Sequence, residues 1–217
     1  MIVTERKPLA DILKALEGFK KVFLVGCGEC STICKTGGEP EVLAMKAELE
    51  KNGKAVTGFC VPEAPCNASK IKTELAKNMK NLRESEAILI MSCGLGVQSV
   101  KINDRLGLTI LPALNTMFGA VLDAAGNFYE KCSLCGECVL GSTGGICPIT
   151  LCPKGLMNGP CGGMNKGKCE VDKNRDCAWV LIYQELEKRN KLGEMKKIKE
   201  PRDHKKSGKP HKLVVNQ

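Results

Sequence analysis

Residues 21–34 read KVFLVGCGECSTIC and hold both a structural and a chemical signal. The first five, Lys21–Val25, are mostly apolar and β-branched and end at a glycine, a pattern typical of a buried strand in a parallel sheet. Three cysteines follow within the next nine residues. Because ligands of an open α/β sheet bind beyond the carboxyl ends of its strands, this stretch predicts both the fold and a site.

Helix and strand patterns alternate through the first 130 residues. The predicted helices are an opening one with Leu9, Ile12, Leu13, Leu16 and Phe19 on one face, a second from about Glu39 to Asn52 that ends before Gly53, and a third with Ile71, Leu75, Met79 and Leu82 as its apolar stripe. Further strands are predicted at Lys54–Phe59, Ala87–Met91 and Leu108–Leu111. This alternation predicts an α/β fold with an open, mostly parallel sheet of Rossmann or flavodoxin type.

The later sequence has a different character. Glycine, proline, asparagine and cysteine dominate residues 132–177, which show no sustained helical or strand period and need metal bonds to hold them. A helix follows, with Trp179, Ile182, Tyr183 and Leu186 on one face, and then a polar, basic stretch. We therefore predict an α/β domain (1–130) with one cluster site, a cysteine-rich, cluster-stabilised domain with a C-terminal helix (131–192), and an extended basic tail (193–217).

The chain contains 14 cysteines, which indicates either a disulfide framework or metal ligation. The N-terminal residues lack the apolar run and cleavage site of a secretory signal, and no apolar stretch approaches the length of a membrane span. We therefore expect a cytoplasmic chain with reduced thiols and no membrane insertion. That environment favours metal sites.

The formal net charge of +9 suggests nucleic-acid binding at first sight. A 4Fe–4S core with four thiolates carries about −2, however, so three clusters would cancel about six of these charges. The chain also lacks the aromatic-interleaved basic stripes and motifs of nucleic-acid readers. No nucleic-acid partner is expected.

The first cysteine group is expected to bind at the end of the predicted sheet. Cys27, Cys30 and Cys34 follow the first predicted strand and Cys93 follows the third, so four thiolates from two loops could hold one cluster. Cys60 and Cys66 could each replace one ligand or be buried, inert thiols. A redox-active dithiol at Cys27 and Cys30 is less consistent with the additional cysteines.

The second group begins with Cys132, Cys135 and Cys138, whose CxxCxxC spacing is the first part of the bacterial ferredoxin pattern. Five more thiols follow at Cys147, Cys152, Cys161, Cys169 and Cys177, two of them before proline. Eight thiols match two 4Fe–4S clusters in number, but the spacing leaves the pairing open. Zinc in place of one cluster stays an alternative, because structural zinc sites also use four cysteines.

Catalysis by this chain alone is not expected. No dinucleotide or phosphate-binding glycine fingerprint stands between a strand and a helix. The two histidines, His204 and His211, lie in the tail, so the folded body has no histidine for a catalytic triad or dyad.

Residues 127–187 resemble the cysteine-rich core of the methylenetetrahydrofolate reductase C-terminal-domain family. TGGICP (143–148), NGPCGG (158–163) and DCAWVLIY (176–183) carry the resemblance, and GCGECSTICKTGG with SCGLGVQ resembles the family's N-terminal cluster loops. The resemblance covers about residues 5–200. Within this family, the chain resembles the small iron–sulfur subunits found in acetogenic and related anaerobic bacteria.

The resemblance implies an electron-transfer subunit in the methyl branch of one-carbon (Wood–Ljungdahl) metabolism. Its partner would be a TIM-barrel subunit that binds FMN or FAD and reduces 5,10-methylenetetrahydrofolate to 5-methyltetrahydrofolate. Electrons would come from ferredoxin or from a larger oxidoreductase complex. Carried over residue by residue, Cys27, Cys30, Cys34 and Cys93 would bind the N-terminal cluster, and the eight cysteines from Cys132 to Cys177 the C-terminal ones.

Two other functions fit the same cysteines. One is a cluster relay that serves a corrinoid or methyltransferase system. The identity of the copurifying flavoprotein would distinguish this relay from the reductase subunit. The other is a zinc-stabilised assembly subunit without a redox role. The basic tail and the helix that contains Trp179 and Leu186 are candidate partner contacts.

Overall fold

The computed structural model describes residues 1–213 and forms two compact units, Met1–Phe118 and Gly119–Gln217. The last four residues of the predicted tail, 214–217, lie outside the described residues. The three-part division at 130/131 and 192/193 stays a prediction.

The first unit alternates strands and helices. In chain order its elements are β1 (Ile2–Arg6), α1 (Leu9–Ala15), β2 (Lys21–Val25), α2 (Cys30–Ile33), α3 (Glu39–Lys51), β3 (Ala55–Cys60), α4 (Ala68–Lys77), α5 (Met79–Arg83), β4 (Ala87–Ile90), α6 (Gly94–Asn103), β5 (Thr109–Pro112) and the start of β6 (Leu114–Leu122).

Four of these strands form a parallel sheet in the order β3-β2-β4-β5. Val25 lies opposite Cys60 on one side and Ile90 on the other, so β2, β3 and β4 end at the same edge. This sheet confirms the predicted α/β fold. That metal clusters stabilise the cysteine-rich segment stays a prediction.

Helices cover both faces of the sheet, which is why the strand residues 22–25 and 87–90 are all buried. On one face, alternate strand residues pack with α1 and α3 in a core that includes Ile12, Leu16, Val22, Leu24, Met45, Leu49 and Leu89. On the other, Phe23, Val25, Ile88 and Ile90 pack with Ile71, Leu75, Leu82 and Val100 from α4, α5 and α6.

The predicted third helix is divided in two. Asn78 separates α4 from α5, and its side-chain amide donates a 2.9 Å hydrogen bond to the Glu74 carbonyl. Short polar side chains that bond to nearby backbone compete with helix continuation, which explains the break. Ile71, Leu75 and Leu82 still bury their side chains in the core on one face of the sheet, as the predicted apolar stripe requires.

The second unit contains little regular structure. Its elements are the end of β6, β7 (Phe128–Glu130), α7 (Pro148–Leu151), α8 (Ala178–Lys188) and short 3₁₀ turns at Leu140–Ser142, Leu192–Lys196 and His204–Ser207. β7 pairs antiparallel with β6. Residues 152–177 form loops joined by isolated bridges.

Helix α8 anchors the core of this unit. Trp179, Ile182 and Leu186 are buried and pack against residues of the cysteine-rich segment, and the Trp179 indole donates a 3.0 Å hydrogen bond to the Leu156 carbonyl. Tyr183 was expected on the same face but is exposed, because it lies one position beyond Ile182 and points toward Glu187, to which it donates a hydrogen bond. Within residues 1–213, no helix is long and apolar enough to cross a membrane.

Candidate metal centres

The first candidate site lies at the edge where β2 and β4 end. Cys27 follows β2 by two residues, and Cys93 precedes the first residue of α6 just beyond β4. From β2 the chain crosses to β3 on one side and then returns past β2 to β4 on the other. The gap between β2 and β4 is therefore a topological switch point, where open α/β sheets bind ligands.

Backbone contacts fix the loop that contains Cys27. The Cys27 amide donates a 2.8 Å hydrogen bond to the Gly37 carbonyl, and the Thr32 hydroxyl donates a 2.6 Å bond to the Cys27 carbonyl. A Cβ at Gly37 would overlap the carbonyl oxygen of Met91, the residue after β4. Glycine thus lets this loop pack directly against the end of β4, with the Cys27 and Cys93 side chains buried.

Cys30 and Cys34, at the start and end of α2, both contact Ile2. The Ile2 amide donates to the Cys30 sulfur at 3.5 Å, and the Cys34 thiol donates to the Ile2 carbonyl at 3.8 Å. Both side chains are partly exposed. The structure therefore places Cys34 against the backbone of β1.

Cys66 lies nearer this site than its position in the sequence suggests. The Gly28 amide donates a 2.8 Å hydrogen bond to the Pro62 carbonyl, and a Cβ at Gly96, in the first turn of α6, would lie 3.1 Å from the Pro65 ring. The loop that contains Cys66 thus contacts both cysteine-bearing segments. Burial raises the pKa of the Cys66 thiol, and the nearby Cys93, Cys27 and Cys30 raise it further.

Cys60 is directed away from this site. Its side chain lies in the core beneath α4, packed with Ile71 and Leu75. Burial, with a smaller contribution from the Glu74 carboxylate, raises the pKa of Cys60 to about 12. These properties are those of a buried structural thiol.

In the second unit, one cavity of about 180 Å³ is lined by four cysteines, Cys132, Cys135, Cys138 and Cys147, together with Leu134, Leu140 and Ile149. Leu134 and Gly136 have positive φ values of 55° and 75°, which turn the backbone around the sulfurs. The Leu134 amide donates a 3.4 Å hydrogen bond to the Cys132 sulfur. A hydrogen bond between the thiol and the backbone of Glu137, together with the positive charge of Arg202, lowers the pKa of Cys135, which favours the metal-binding thiolate.

The other four cysteines, Cys152, Cys161, Cys169 and Cys177, line a second cavity with Lys154, Glu170 and Trp179. Lys154 and Glu170 form an ion pair there, which raises the pKa of Lys154 and lowers that of Glu170. The Cys169 amide bonds to the Arg175 carbonyl at 2.9 Å, and the Cys177 amide to the Gly167 carbonyl at 2.8 Å. This space is about 10 Å³, roughly one water molecule, so the loops must widen to admit a cluster.

Two orphaned polar atoms mark the cysteine sites. Within residues 1–213, the buried side-chain nitrogen and oxygen atoms without a hydrogen-bond partner are Ser31 Oγ, beside Cys30, and Arg202 Nε, whose guanidinium donates to the Cys135 carbonyl. Buried polar atoms are normally paired, so each is available to a group held by the neighbouring cysteines. The all-thiol donor sets fit an iron–sulfur cluster, which cysteine thiolates bind.

All fourteen cysteines are free, and in the part of the chain that the structure describes no three His, Cys, Asp or Glu side chains converge on a point suited to one metal ion. The sequence prediction of Cys27, Cys30, Cys34 and Cys93 as one ligand set stays a prediction. Sequence reasoning did not identify Arg202, Lys154 or Glu170 as residues near the cysteines, because each lies in a charged stretch that resembles ordinary surface.

Comparison with known proteins agrees with the resemblance seen in the cysteine-rich segment. Residues 111–205, which include both four-cysteine cavities, match the protein family described as "Methylene-tetrahydrofolate reductase C terminal". No curated protein and no solved structure matches the chain significantly. The family name refers to an oxidoreductase, and the likeness to it is confined to residues 111–205 of this chain.

Proposed function

We propose that this chain is the iron–sulfur electron-transfer subunit of a methylenetetrahydrofolate reductase. The observation that carries the proposal is the division of the eight C-terminal cysteines into two groups of four, each lining its own cavity. Four thiolates are the ligand set of a 4Fe–4S cluster. The family match of the same region supports the assignment to this reductase.

The two groups follow one another along the chain. Cys132, Cys135, Cys138 and Cys147 would hold one cluster, and Cys152, Cys161, Cys169 and Cys177 the next. In two-cluster ferredoxins, by contrast, the fourth cysteine of the compact motif ligates the other cluster. We therefore propose sequential rather than interleaved ligation.

A third cluster is proposed at the switch point of the first unit. Cys27, Cys30 and Cys93 supply three ligands, with Cys34 or Cys66 as the fourth. The loop contacts and the electrostatic coupling of Cys66 with the other three favour Cys66. Cys60 is excluded from the proposed set because its thiol lies in the opposite core.

The chain's own residues bind these groups, shield them and tune their potential. When bound, iron–sulfur clusters accept and release single electrons, with potentials set by hydrogen bonds, local charge and exposure. A flavin on a TIM-barrel partner subunit would combine single electrons into hydride chemistry and reduce methylenetetrahydrofolate. Ferredoxin or a larger donor complex would supply the electrons, and this chain alone would show no reductase activity. We propose a cytoplasmic location, because cluster-binding thiols need a reducing compartment.

The direct test is the iron, acid-labile sulfide and zinc content of the chain purified without oxygen. We expect about twelve irons and matching sulfide per chain, as three 4Fe–4S clusters require. Copurification of a flavoprotein that reduces methylenetetrahydrofolate would connect the clusters to the reductase. One or two zinc ions with little iron would instead establish a structural module and end the electron-transfer proposal.

The 180 Å³ cavity bears on the choice between iron–sulfur and zinc. Four thiolates on zinc lie about 2.3 Å from a single ion, whereas the cubane core of a cluster needs a wider space between them. The size of this cavity favours the larger group. The cavity lined by Cys152 and Cys177 is smaller, so the size argument leaves zinc open as the metal of that site. The zinc content of the chain therefore tests this site most directly.

A further inference from the structure

The basic tail folds back over the CxxCxxC loop. The Asp203 amide donates a 3.1 Å hydrogen bond to the Glu137 carboxylate, and the Lys206 ammonium donates to the same carboxylate at 3.3 Å. A Cβ at Gly136 would overlap the carbonyl oxygen of Lys206, so the tail backbone lies directly on this glycine. We call residues 199–207 the strap.

The strap is also attached at its beginning. The backbone of Lys199 exchanges two hydrogen bonds with the Asn158 side chain, at 2.8 and 3.0 Å, and its ammonium group bonds to the Ser142 hydroxyl. Asn158 belongs to the NGPCGG motif before Cys161. Two separate anchors thus hold the strap in a defined place, whereas the sequence predicts an extended basic tail.

Arg202 lies between these anchors and connects the strap to Cys135. One of its terminal nitrogens donates a 3.1 Å hydrogen bond to the Cys135 carbonyl, and its charge acts on the Cys135 thiol. Its Nε is buried without a hydrogen-bond partner. An unpaired N–H inside the protein is costly, so this N–H is available to a group bound beside it.

We propose that Arg202 is a positioning residue that donates a hydrogen bond and a fixed positive charge to the iron–sulfur cluster bound by Cys132, Cys135, Cys138 and Cys147, and so raises the reduction potential of that cluster. The inference rests on the proposed function, since it needs iron in this cavity. Hydrogen bonds to the sulfurs and local charge are two of the factors that set cluster potentials.

The electron balance gives the direction of the effect. Reduction adds one electron to the cluster, and no bond forms or breaks and no proton moves, because arginine stays protonated. A nearby cation stabilises the more negative reduced state over the oxidised one. Removing the charge therefore makes the cluster harder to reduce.

The test measures midpoint potentials of the full chain, purified without oxygen, by titration with dithionite monitored by electron paramagnetic resonance. The relevant signal is the one that Cys135→Ala removes. Arg202→Gln should shift this signal to more negative potential, and Arg202→Lys, which keeps the charge but loses the fork of donors, should shift it less. Arg189→Gln is the matched control, because Arg189 is exposed directly after the end of α8 in the same unit and pairs with Glu185.

Each outcome decides the inference. A shift to more negative potential with Arg202→Gln but not with Arg189→Gln supports it, and a shift to more positive potential overturns it. Equal shifts in both variants, or no shift with iron content intact, overturn the role of Arg202 while leaving the clusters established. If Arg202→Gln loses the irons of this site, Arg202→Met, a second variant that removes the charge, takes its place, and an unchanged potential there overturns the inference. Wild-type chain that contains zinc instead of iron overturns both this inference and the proposed function.

Discussion

The Gly28 amide bonds to the Pro62 carbonyl at 2.8 Å and joins the loop of Cys27 to the loop that ends at Cys66. Cys34, by contrast, turns its thiol toward the Ile2 carbonyl. These two contacts favour Cys66 over Cys34 as the fourth ligand of the cluster proposed for the first unit.

Cys66→Ala should remove about four irons per chain, because a 4Fe–4S cluster needs four thiolates and the Cys66 thiol interacts electrostatically with Cys27, Cys30 and Cys93. Cys34→Ala should retain these irons. Iron and sulfide analysis of the purified variants measures this. Cys60→Ala is the matched control, with unchanged iron. If Cys34→Ala loses the irons and Cys66→Ala keeps them, the set predicted from the sequence is the right one.

Sequential ligation in the second unit predicts how double variants behave. Cys132→Ala with Cys147→Ala should lose about four irons, no more than either single variant, because both line one cavity. Cys132→Ala with Cys152→Ala should lose about eight, since those residues line different cavities. The reverse pattern in the iron counts would demonstrate interleaved ligation.

The raised pKa of the buried Cys60 thiol predicts that the stability of the fold depends on pH. Its folded pKa is about 12 against an ordinary 9.0, so above pH 9 the unfolded chain loses a proton that the folded chain keeps. The stability from this neutral thiol is complete below pH 9 and is lost as the pH rises toward 12. Between pH 9 and 10.5 the wild-type free energy of unfolding should fall by about 2 kcal/mol more than that of Cys60→Ala.

Urea unfolding of both proteins across this pH range measures the difference, and effects of all other groups cancel in the comparison. Parallel pH curves for wild type and Cys60→Ala would mean that Cys60 is solvated. The thiol would then be available as a ligand after all.

Gly37→Ala tests the packing of the first site. The added methyl would overlap the Met91 carbonyl and displace the loop that bonds to the Cys27 amide, at a cost of about 1–3 kcal/mol in the free energy of unfolding. We expect loss of the irons of the first unit only, read out by iron analysis and thermal unfolding. Gly193→Ala is the control, because a Cβ there meets no atom within 4 Å.

The central strands were predictable because their burial on both faces leaves a continuous apolar run. Lys21–Val25 matches β2 residue for residue, and the predicted 87–91 strand is one residue longer than β4. β1, β6, β7, α2, α6 and α7 were not predicted. α6 begins Gly-Leu-Gly and has no regular apolar stripe, and Gly96 is required there because a side chain would overlap Ser92.

The cysteine groups were predictable from count and spacing, but their partition was not. From Cys138 onward the intervals between cysteines are similar, apart from the short step from Cys147 to Cys152, so spacing favours no pairing. Only the folded loops separate the two sets. The contact of Arg202 was unpredictable for a related reason. It arises because the chain folds back and brings residue 202 to residue 135, and a basic tail sequence does not indicate such a reversal.

The strap also sets an order of events during synthesis. Cys147 emerges from the ribosome before Cys152, so the proposed first ligand set is exposed before the second. Arg202 and Lys206 emerge much later and are the residues that cover the CxxCxxC loop. Under the proposed function, maturation factors would therefore meet an uncovered set of thiols on the nascent chain, and the strap would close over the CxxCxxC loop only after its cysteines have emerged.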